Sequence, residues 1–410
     1  MNRMHPSRDI IGSKGKELLG KKIALGICGS VAAFKAPELA RLLMRHGAEV
    51  RAVMTKSATE IISPNLMEWA TGNEVIIELT GKIEHVETAL WADVILVAPA
   101  TANTIGKISQ GIDDTTVTSL VSVALGLKKP VILVPAMHAS MYEHPAVKEN
   151  LAKIKKMGMV VVEPIVEEEK AKFPPIERIF WHVLCVLTKK DMDGLKVLVT
   201  AGPTVEPIDP IKFITNPSSG KMGIAFAKIA AARGAEVTLI YGPGTEPIPE
   251  DINVVQVRTT KEMKDAFDRA LEEHPDIVVA AAAPLDFEVE SPFERKLRHD
   301  QPVLLKLKPA PRILDDVKRK VPEAFVVGFK AEYFVSDEEL ENSGKRKLEE
   351  GGLDLVVAND VARPGAGFRA DRNEVIIISK NMKSKMSASK EEIAWTVLNI
   401  ALEELRKRKS

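Results

Sequence analysis

The chain has few cysteines and no long apolar run, and these two shortages exclude several classes of protein. Only Cys28 and Cys185 occur among its 410 residues, so neither a disulfide framework nor a metal site of several thiolates is expected. No stretch is apolar over the length that spans a bilayer, and the N-terminal stretch lacks the apolar centre of a signal peptide. We therefore expect a cytoplasmic protein with no membrane partner.

An excess of charge of either sign is also missing. Lys and Arg total 57, as do Asp and Glu, so no overall field attracts nucleic acid, and we expect no nucleic-acid partner. What the chain does have is an apolar content of 45%, which supplies substantial cores. Its length allows two or three domains.

Strands and helices are predicted to alternate in two successive series. The first begins with the apolar run 22–27, and the second begins at 195–200, after the polar stretch 189–194. The tetrapeptide GAEV occurs once in each half. Such alternation is typical of parallel sheets covered by helices on both faces. We predict an α/β chain of two doubly wound, Rossmann-like, three-layer domains, 1–190 and 191–410. The predicted helices include 34–46, 59–71, 84–91, 260–273 and 311–320.

The segment TAGPTVEPIDPIKFITNPSSGKMG, residues 200–223, joins a predicted strand to a predicted helix. Its Gly, Pro, Ser and Asn residues leave backbone N–H groups free, and the dipole of the following helix favours anions. The junction around GICGSVAAFK, 26–35, has the same character. Neither loop has the spacing of a dinucleotide fingerprint or of a Walker A loop, so each alone also fits a plain tight turn. Together they predict two anion-binding units.

Other polar loops follow predicted buried strands, where doubly wound sheets bind their ligands. In the first half these are APATANT, 98–104, and VPAMHASMYEHP, 134–145, although both also fit ordinary loops with helix caps. In the second half, Asp286 follows a strand, and Lys296 and Arg298 come soon after it. A carboxylate with nearby cations suits a magnesium-bound nucleoside triphosphate, and it also fits a solvated charge cluster.

Taken in order, these motifs resemble those of one family, the bifunctional phosphopantothenoylcysteine decarboxylase/phosphopantothenate–cysteine ligases of coenzyme A biosynthesis. The resemblance covers about 21–405. It implies a flavodoxin-like, FMN-binding first domain and a ligase second domain. The implied reactions are ligation of cysteine to 4′-phosphopantothenate through an acyl-nucleotide, and FMN-dependent decarboxylation of the product to 4′-phosphopantetheine.

For the first half, the resemblance identifies His85 as the active-site histidine, a base or an orienting group. Substrate contacts are implied for Ala136, Met137 and His138, where His138 replaces a motif asparagine that contacts the substrate carboxylate. The implied FMN contacts are Gly29, Ser30, Thr55, Ser57, Pro99, Thr101, Asn103 and Thr104.

The region 163–176 corresponds to a flexible lid that usually carries a proton-donating cysteine, and it contains none. Either another group, for example in the EEEKAKFP stretch of 167–174, donates that proton, or this half of the protein works differently. Cys185 lies on the next predicted helix beside its apolar stripe, and we interpret it as structural.

For the second half, the resemblance associates Asn216 with the acyl-nucleotide and Lys296 with the triphosphate. Lys212 replaces an arginine and keeps its charge, and Gly351 stands where a second nucleotide-contacting lysine is usual. VGFKAE, LVVAND and GFRADRN (367–373) also match. Asp286 is the implied Mg²⁺ ligand. The implied nucleotide contacts are Ala280, Ala281, Ala282, Asp286, Lys296, Pro311, Arg312, Ile313, Leu314, Phe329 and Lys347.

The sequence leaves several alternatives open. The nucleotide is CTP or ATP, and the resemblance implies a homo-oligomer with trimeric flavin domains and paired ligase domains. Two rival functions remain at this point. One is a monofunctional ligase whose first half is a flavin-binding or oligomerisation module, and the other is a non-enzymatic flavoprotein that acts as a regulatory binding partner.

Overall fold

A computed structural model describes residues 5–167, 170–250, 252–299, 302–363, 370 and 372–409. The chain divides into two compact units, one up to Thr188 and one from Lys189. The sequence predicts the division two residues later, between 190 and 191. Each unit has its own sheet, and each is described separately below.

The N-terminal unit is built on a parallel sheet. Its strands are β1 (Lys22–Ile27), β2 (Glu49–Met54), β3 (Val94–Ala100), β4 (Val131–Pro135), β5 (Met137–His138), β6 (Val160–Val161), β7 (Ile165–Glu167) and β8 (Lys170–Lys172). Five of them form the main sheet in the order β2-β1-β3-β4-β6, all parallel, which is the flavodoxin-like order. The other three form a small antiparallel sheet in the order β5-β8-β7.

Helices pack around this sheet because its strands are apolar on both faces; every residue of β3, for example, is buried. The helices are α1 (Ala36–Arg45), α2 (Lys56–Thr59), α3 (Pro64–Thr71), α4 (Glu84–Trp91), α5 (Ala102–Gln110), α6 (Thr116–Gly126), α7 (Ala139–Tyr142), α8 (Pro145–Lys156) and α9 (Ile176–Leu187), with 3₁₀ turns at Pro6–Ile10 and Val31–Lys35.

The prediction of one helix over 59–71 is wrong, because the structure divides the region into α2 and α3. Pro64 has no N–H group to continue a helix and disfavours helical geometry at the residue before it. Ser63 instead begins a new helix, and its hydroxyl oxygen accepts from the backbone N–H of Asn65.

The C-terminal unit contains a larger, mixed sheet. Its strands are β9 (Lys196–Ala201), β10 (Val205–Pro207), β11 (Phe213–Thr215), β12 (Glu236–Tyr241), β13 (Asn253–Gln256), β14 (Ile277–Ala280), β15 (Phe287–Val289), β16 (Leu307–Pro309), β17 (Phe325–Glu332), β18 (Leu355–Asp360), β19 (Arg372–Ser379) and β20 (Lys383–Ser389). The main sheet has the order β13-β12-β9-β14-β17-β18-β19-β20. Its first six strands are parallel in the Rossmann order, and β19 and β20 add an antiparallel edge.

The helices of this unit lie on both faces of the sheet. Alternate residues of β17 show this, because Val326 belongs to one apolar cluster with Leu340 of a flanking helix, and Val327 belongs to another cluster with Phe226. The helices are α10 (Lys221–Ala232), α11 (Thr260–Leu271), α12 (Val317–Lys320), α13 (Asp337–Glu350) and α14 (Lys390–Lys409). The prediction of two doubly wound, three-layer α/β domains is confirmed.

One predicted helix of this unit is too long. Of the segment 311–320, only α12 is helical, because the left-handed backbone of Asp316 cannot continue a right-handed helix from the residues before it. Asp316 begins α12 in the left-handed region, with φ of 65°. The hairpins β10–β11 and β15–β16 were not predicted, since strands of three residues carry too short an alternation to detect.

Candidate functional site

The loops after β1 and β2 meet at Gly29 and Ser57. A Cβ atom on Gly29 would lie 2.5 Å from Oγ and 2.6 Å from Cβ of Ser57, so only glycine fits there. The hydroxyl of Ser57 also lies 3.2 Å from that of Thr55, which caps α2 by accepting from the N–H of Ala58. These contacts gather small residues and hydroxyl groups in one place, a composition that suits a phosphate group.

The loop after β3 lies beside the loop after β1. Thr101 caps α5 by accepting from the N–H of Thr104, and the two threonine hydroxyls are 3.1 Å apart. Cys28 lies beneath them, and burial raises the pKa of its thiol to about 11, opposed by hydrogen bonds from Thr104 and Thr101. The thiol is therefore a neutral packing group rather than a nucleophile.

The loop after β4 completes this end of the sheet. Ser30 donates to the carbonyl oxygen of Ala136 at 3.4 Å, and the N–H of Ala136 donates to Ala100 at 3.0 Å. The structure thus brings together the predicted FMN residues that follow β1, β2 and β3, with the peptide Ala98–Pro99 in the cis form. Asn103 lies in the first turn of α5.

The two histidines singled out by the sequence differ in their surroundings. His85 lies in the first turn of α4, and its Nδ1 is buried without a hydrogen-bond partner among the described residues. Such an atom is an expected anchor for a substrate or a cofactor. His138 caps α7, because its Nδ1 accepts from the N–H of Ser140, so Nε2 carries the hydrogen and can donate.

The predicted lid region, 163–176, contributes the strands β7 and β8 to the small antiparallel sheet. Met137 and His138 of β5 pair with Ala171 and Lys170 of β8, and β7 pairs with β8 on its other side. Part of the EEEKAKFP stretch, residues 168 and 169, lies outside the described residues. Cys185 lies on α9 and is partly buried.

In the C-terminal unit, the signature loop is fastened to the segment that follows β14. Nδ2 of Asn216 donates to the carbonyl oxygens of Ala283 and Pro284, both at 3.1 Å. The hydroxyl of Thr204 accepts from the N–H of Leu285 at 2.9 Å, and Thr204 is fully buried. The ends of β9 and β14 therefore hold one another in place.

Lys212 is held by a second anchor in the same loop. Its Nζ lies 2.8 Å from Oδ2 of Asp209, and Asp209 also accepts from the N–H groups of Ile211, Lys212 and Leu297. The hydrogen bond from the Lys212 ammonium, with those backbone donors, holds the pKa of Asp209 well below its usual range. Lys296 precedes Leu297 and is exposed, so Asp209 fixes the backbone beside the predicted triphosphate lysine.

The remaining predicted nucleotide residues lie at the carboxyl ends of β14 and β17. Ala280, Ala281 and Ala282 continue from β14 to Asp286, whose carbonyl oxygen accepts from the N–H of Ala310. That bond brings the 311–314 turn to Asp286. Phe329 packs edge-on against Phe226 of α10, with ring centres 5.7 Å apart.

Lys347 of α13 belongs to the same end of the sheet. Its partial burial lowers the pKa of its ammonium, the charge of Lys330 lowers it further, Asp286 raises it, and Arg312 lowers it. The charges of the predicted residues Asp286 and Arg312 therefore both act on Lys347. The sequence does not mark Thr204, Asp209 or Lys330 individually, although each lies in a motif that resembles the family.

Among the described residues, no group of three or more His, Cys, Asp or Glu side chains is arranged to hold a metal ion. No helix in the described part of the chain has the length and apolar character needed to cross a bilayer. The GFRADRN match extends over residues 367–369 and 371, which lie outside the described residues.

Comparison with known proteins agrees with the two units. Residues 11–187 match the family model "Flavoprotein", and residues 192–405 match that of the "DNA/pantothenate metabolism flavoprotein C-terminal domain". The fold and the two sets of loops thus define a two-domain enzyme with a flavoprotein half.

Relatives match over nearly the whole chain. The coenzyme A biosynthesis bifunctional protein CoaBC of Thermococcus kodakarensis is 48% identical over 93% of this chain and 95% of its own length. Its counterpart in Methanocaldococcus jannaschii is 39% identical over 96% of both chains, and that of Bacillus subtilis is 36% identical over 89% and 92%.

The chain belongs to this family of bifunctional coenzyme A biosynthesis proteins, as the sequence motifs predict. Because both halves match along their full length, the bifunctional prediction is confirmed over the monofunctional alternative.

Proposed function

We propose that the C-terminal unit joins cysteine to 4′-phosphopantothenate at the expense of CTP or ATP, and that the N-terminal unit decarboxylates the product to 4′-phosphopantetheine. The observation that carries the ligase assignment is the fastening of the signature loop to the 283–285 segment by Asn216 and Thr204. These hydrogen bonds hold the anion-binding loop after β9 against the nucleotide segment after β14. Two substrates that react with each other must be bound side by side in this way.

Ligation proceeds in two steps. The carboxylate of 4′-phosphopantothenate attacks the α-phosphorus of the nucleotide, which forms an acyl-nucleotide and releases pyrophosphate. The amine of cysteine then attacks the acyl carbon and displaces the nucleoside monophosphate, losing a proton. Lys212 and Lys296 stabilise the negative charge that accumulates on phosphate in the first step. Lys347 and Arg312 supply further positive charge at the same end of the sheet.

Magnesium would be held at Asp286. A single carboxylate is sufficient for this, because Mg²⁺ commonly binds through one or two carboxylates together with substrate phosphates and water. Its chemistry there is to neutralise charge on the phosphate chain.

The N-terminal unit fits FMN. The close approach of Gly29 to Ser57, with Ser30 next in the chain and the hydroxyls of Thr55 and Ser57 3.2 Å apart, suits the phosphate of the cofactor. When bound, the flavin accepts and returns the electrons that make loss of CO₂ from the cysteine moiety easy. His85 orients or deprotonates the substrate, and Nε2–H of His138 donates to the substrate carboxylate.

Exposed apolar side chains of the N-terminal unit support a homo-oligomer formed through the flavin domains, and the family resemblance implies that these are trimeric and that the ligase domains are paired. Val31 and Phe34, which follow the Gly29 loop, are 77% and 62% exposed. Ile83, which precedes α4, and Leu90, which lies on it, are 55% and 60% exposed. Apolar surface beside a site is typical of an interface. The two free cysteines support a reducing, cytoplasmic location.

One experiment tests the whole proposal. The purified protein is incubated with 4′-phosphopantothenate, cysteine, Mg²⁺ and either CTP or ATP, and the products are followed by mass spectrometry. We expect 4′-phosphopantetheine, pyrophosphate and the nucleoside monophosphate. Accumulation of 4′-phosphopantothenoylcysteine would contradict the decarboxylase half, and unreacted 4′-phosphopantothenate with both nucleotides would contradict the ligase half.

A further inference from the structure

Lys330 is a cation at the nucleotide end of β17 that the family resemblance does not assign. We propose that Lys330 is a further nucleotide-binding residue, which contacts the phosphate chain of the nucleoside triphosphate beside Lys347. This inference rests on the proposed ligase function and deepens it.

Lys330 of β17 points to the face of the sheet on which Lys347 of α13 lies. Gly328 and Lys330 are two residues apart and therefore point to one face. A Cβ atom on Gly328 would lie 3.7 Å from Cε of Lys347, so the stem of Lys347 passes over Gly328. Lys330 pairs in register with Ala358 of β18, which α13 covers through Gly344.

The position of Lys330 along its strand is also suitable. β17 pairs with β14 only up to Gly328 opposite Ala280. Lys330 therefore extends past the point where β14 ends and the 281–286 nucleotide segment begins. Ligands of doubly wound sheets lie at this edge, beyond the carboxyl ends of the strands.

The charge around Lys330 favours an anionic ligand. Nζ of Lys330 lies 3.1 Å from Oε1 of Glu332, and the same carboxylate accepts from the hydroxyl of Ser343. Among the described residues, Lys347 and Arg312 have no carboxylate within ion-pair distance. The cations thus outnumber the carboxylates Glu332 and Asp286 there. Like charges held together are unfavourable in the free protein, and a polyphosphate would remove that cost.

The ion pair with Glu332 suggests an alternative, in which Lys330 stabilises the folded protein and does not contact the nucleotide. The pair is partly exposed, with 32% and 27% of the two side chains accessible, so its own contribution to folding is small. Ser343 continues to hold Glu332 when Lys330 turns towards phosphate. In the absence of nucleotide, the pair holds the ammonium group of Lys330 beside Glu332.

The test is equilibrium binding of CTP, ATP and CMP to the full-length protein, measured by calorimetry for wild type, Lys330→Met, Lys330→Gln and Lys330→Arg. Loss of one charge-assisted contact predicts about tenfold weaker binding of the triphosphate by the Met and Gln variants. Binding of CMP should change less than about twofold, and Lys330→Arg should retain most of the triphosphate affinity. Lys345→Met is the matched control, because Lys345 lies on α13 and pairs with Glu341 at 2.7 Å.

The double variant Lys330→Met/Glu332→Gln distinguishes a direct contact between Lys330 and phosphate from an indirect effect of Lys330 through Glu332. If Lys330 contacts phosphate, the double variant binds triphosphate as weakly as Lys330→Met. Recovery of wild-type affinity in the double variant would overturn the proposal, and so would unchanged affinity in both single neutral variants. A wild-type protein that binds neither triphosphate would overturn the proposed ligase function together with it.

Discussion

The side-chain amide of Asn216 donates to the carbonyl oxygen of Pro284 at 3.1 Å, and its other hydrogen goes to Ala283 at the same distance. Because carbonyl oxygens only accept hydrogen bonds, the side-chain atom that faces Ala283 and Pro284 is Nδ2, and both of its N–H groups are used. Only Oδ1 remains to face a ligand. Asn216 thus supports the nucleotide segment and presents an acceptor, which suits the attacking amine of cysteine better than a phosphate oxygen.

Asn216→Asp should disable ligation, because it places a carboxylate oxygen against two carbonyl oxygens and detaches the 283–284 segment. Asn216→Ala removes the same two hydrogen bonds without adding charge. We expect each to lower ligation on the order of a hundredfold, the usual effect of losing one well-placed polar group at a reacting centre. The measurement is formation of 4′-phosphopantothenoylcysteine, with decarboxylation of supplied 4′-phosphopantothenoylcysteine as the internal control. Full turnover by Asn216→Ala would refute the role.

Asp209→Asn should weaken ligation by releasing Lys212 and the 296–297 backbone. The low pKa of Asp209 keeps its carboxylate charged near neutral pH, where the pair with Lys212 is intact. Since its folded pKa lies below the unfolded one, its stabilising contribution is present at neutral pH and is lost only as pH falls through the folded pKa.

The variant is measured by the KM for 4′-phosphopantothenate and for the nucleotide, which we expect to rise about tenfold. Asp193→Asn, in a polar stretch before β9, is the matched control. A normal KM for both substrates in Asp209→Asn would show that the anchor does not position the site.

His85→Asn should abolish decarboxylation and leave ligation unchanged. Nδ1 of His85 is buried without a hydrogen-bond partner among the described residues, as expected of a group that binds a ligand. Loss of a general base or an orienting group costs about a hundredfold or more in rate. The readout is CO₂ release from supplied 4′-phosphopantothenoylcysteine, with flavin absorbance to show that the cofactor remains bound. Equal loss of ligation would indicate misfolding instead.

Gly29→Ala should reduce the amount of flavin that copurifies. The new methyl group would meet Ser57 at 2.5 to 2.6 Å, with the Ser57 backbone carbon at 3.1 Å, so one of the two loops must move. Gly126→Ala is the matched control, because nothing lies within 4 Å of its Cβ position. The ratio of flavin to protein absorbance measures the difference, and an unchanged ratio in Gly29→Ala would show that this contact does not shape the cofactor site.

The sequence predicts the strands and their loops well because buried parallel strands leave short apolar runs bounded by Gly and Pro; β1 has the predicted bounds. It does not predict which side-chain atoms meet across loops. Thr204 and Asp209 are separated in sequence from Leu285 and Leu297, and no local pattern marks such pairs. Pro64 and Asp316 show a related limit, because the backbone geometry at a single residue ends a helix that the wider sequence pattern predicts.

Cys28 should remain unreactive in the native protein, and its pKa should make stability fall at alkaline pH. Its folded pKa of about 11 exceeds the ordinary value of 9.0, so the unfolded chain loses the thiol proton first as pH rises. The contribution is complete below pH 9 and is lost between 9 and 11, by about 3 kcal/mol. Cys28→Ala should lack this part of the pH dependence, measured by urea unfolding at pH 8 and pH 10.5. In Cys185→Ser, a thiol reagent at pH 8 should modify Cys28 only after unfolding; rapid native labelling would contradict the buried, neutral thiol.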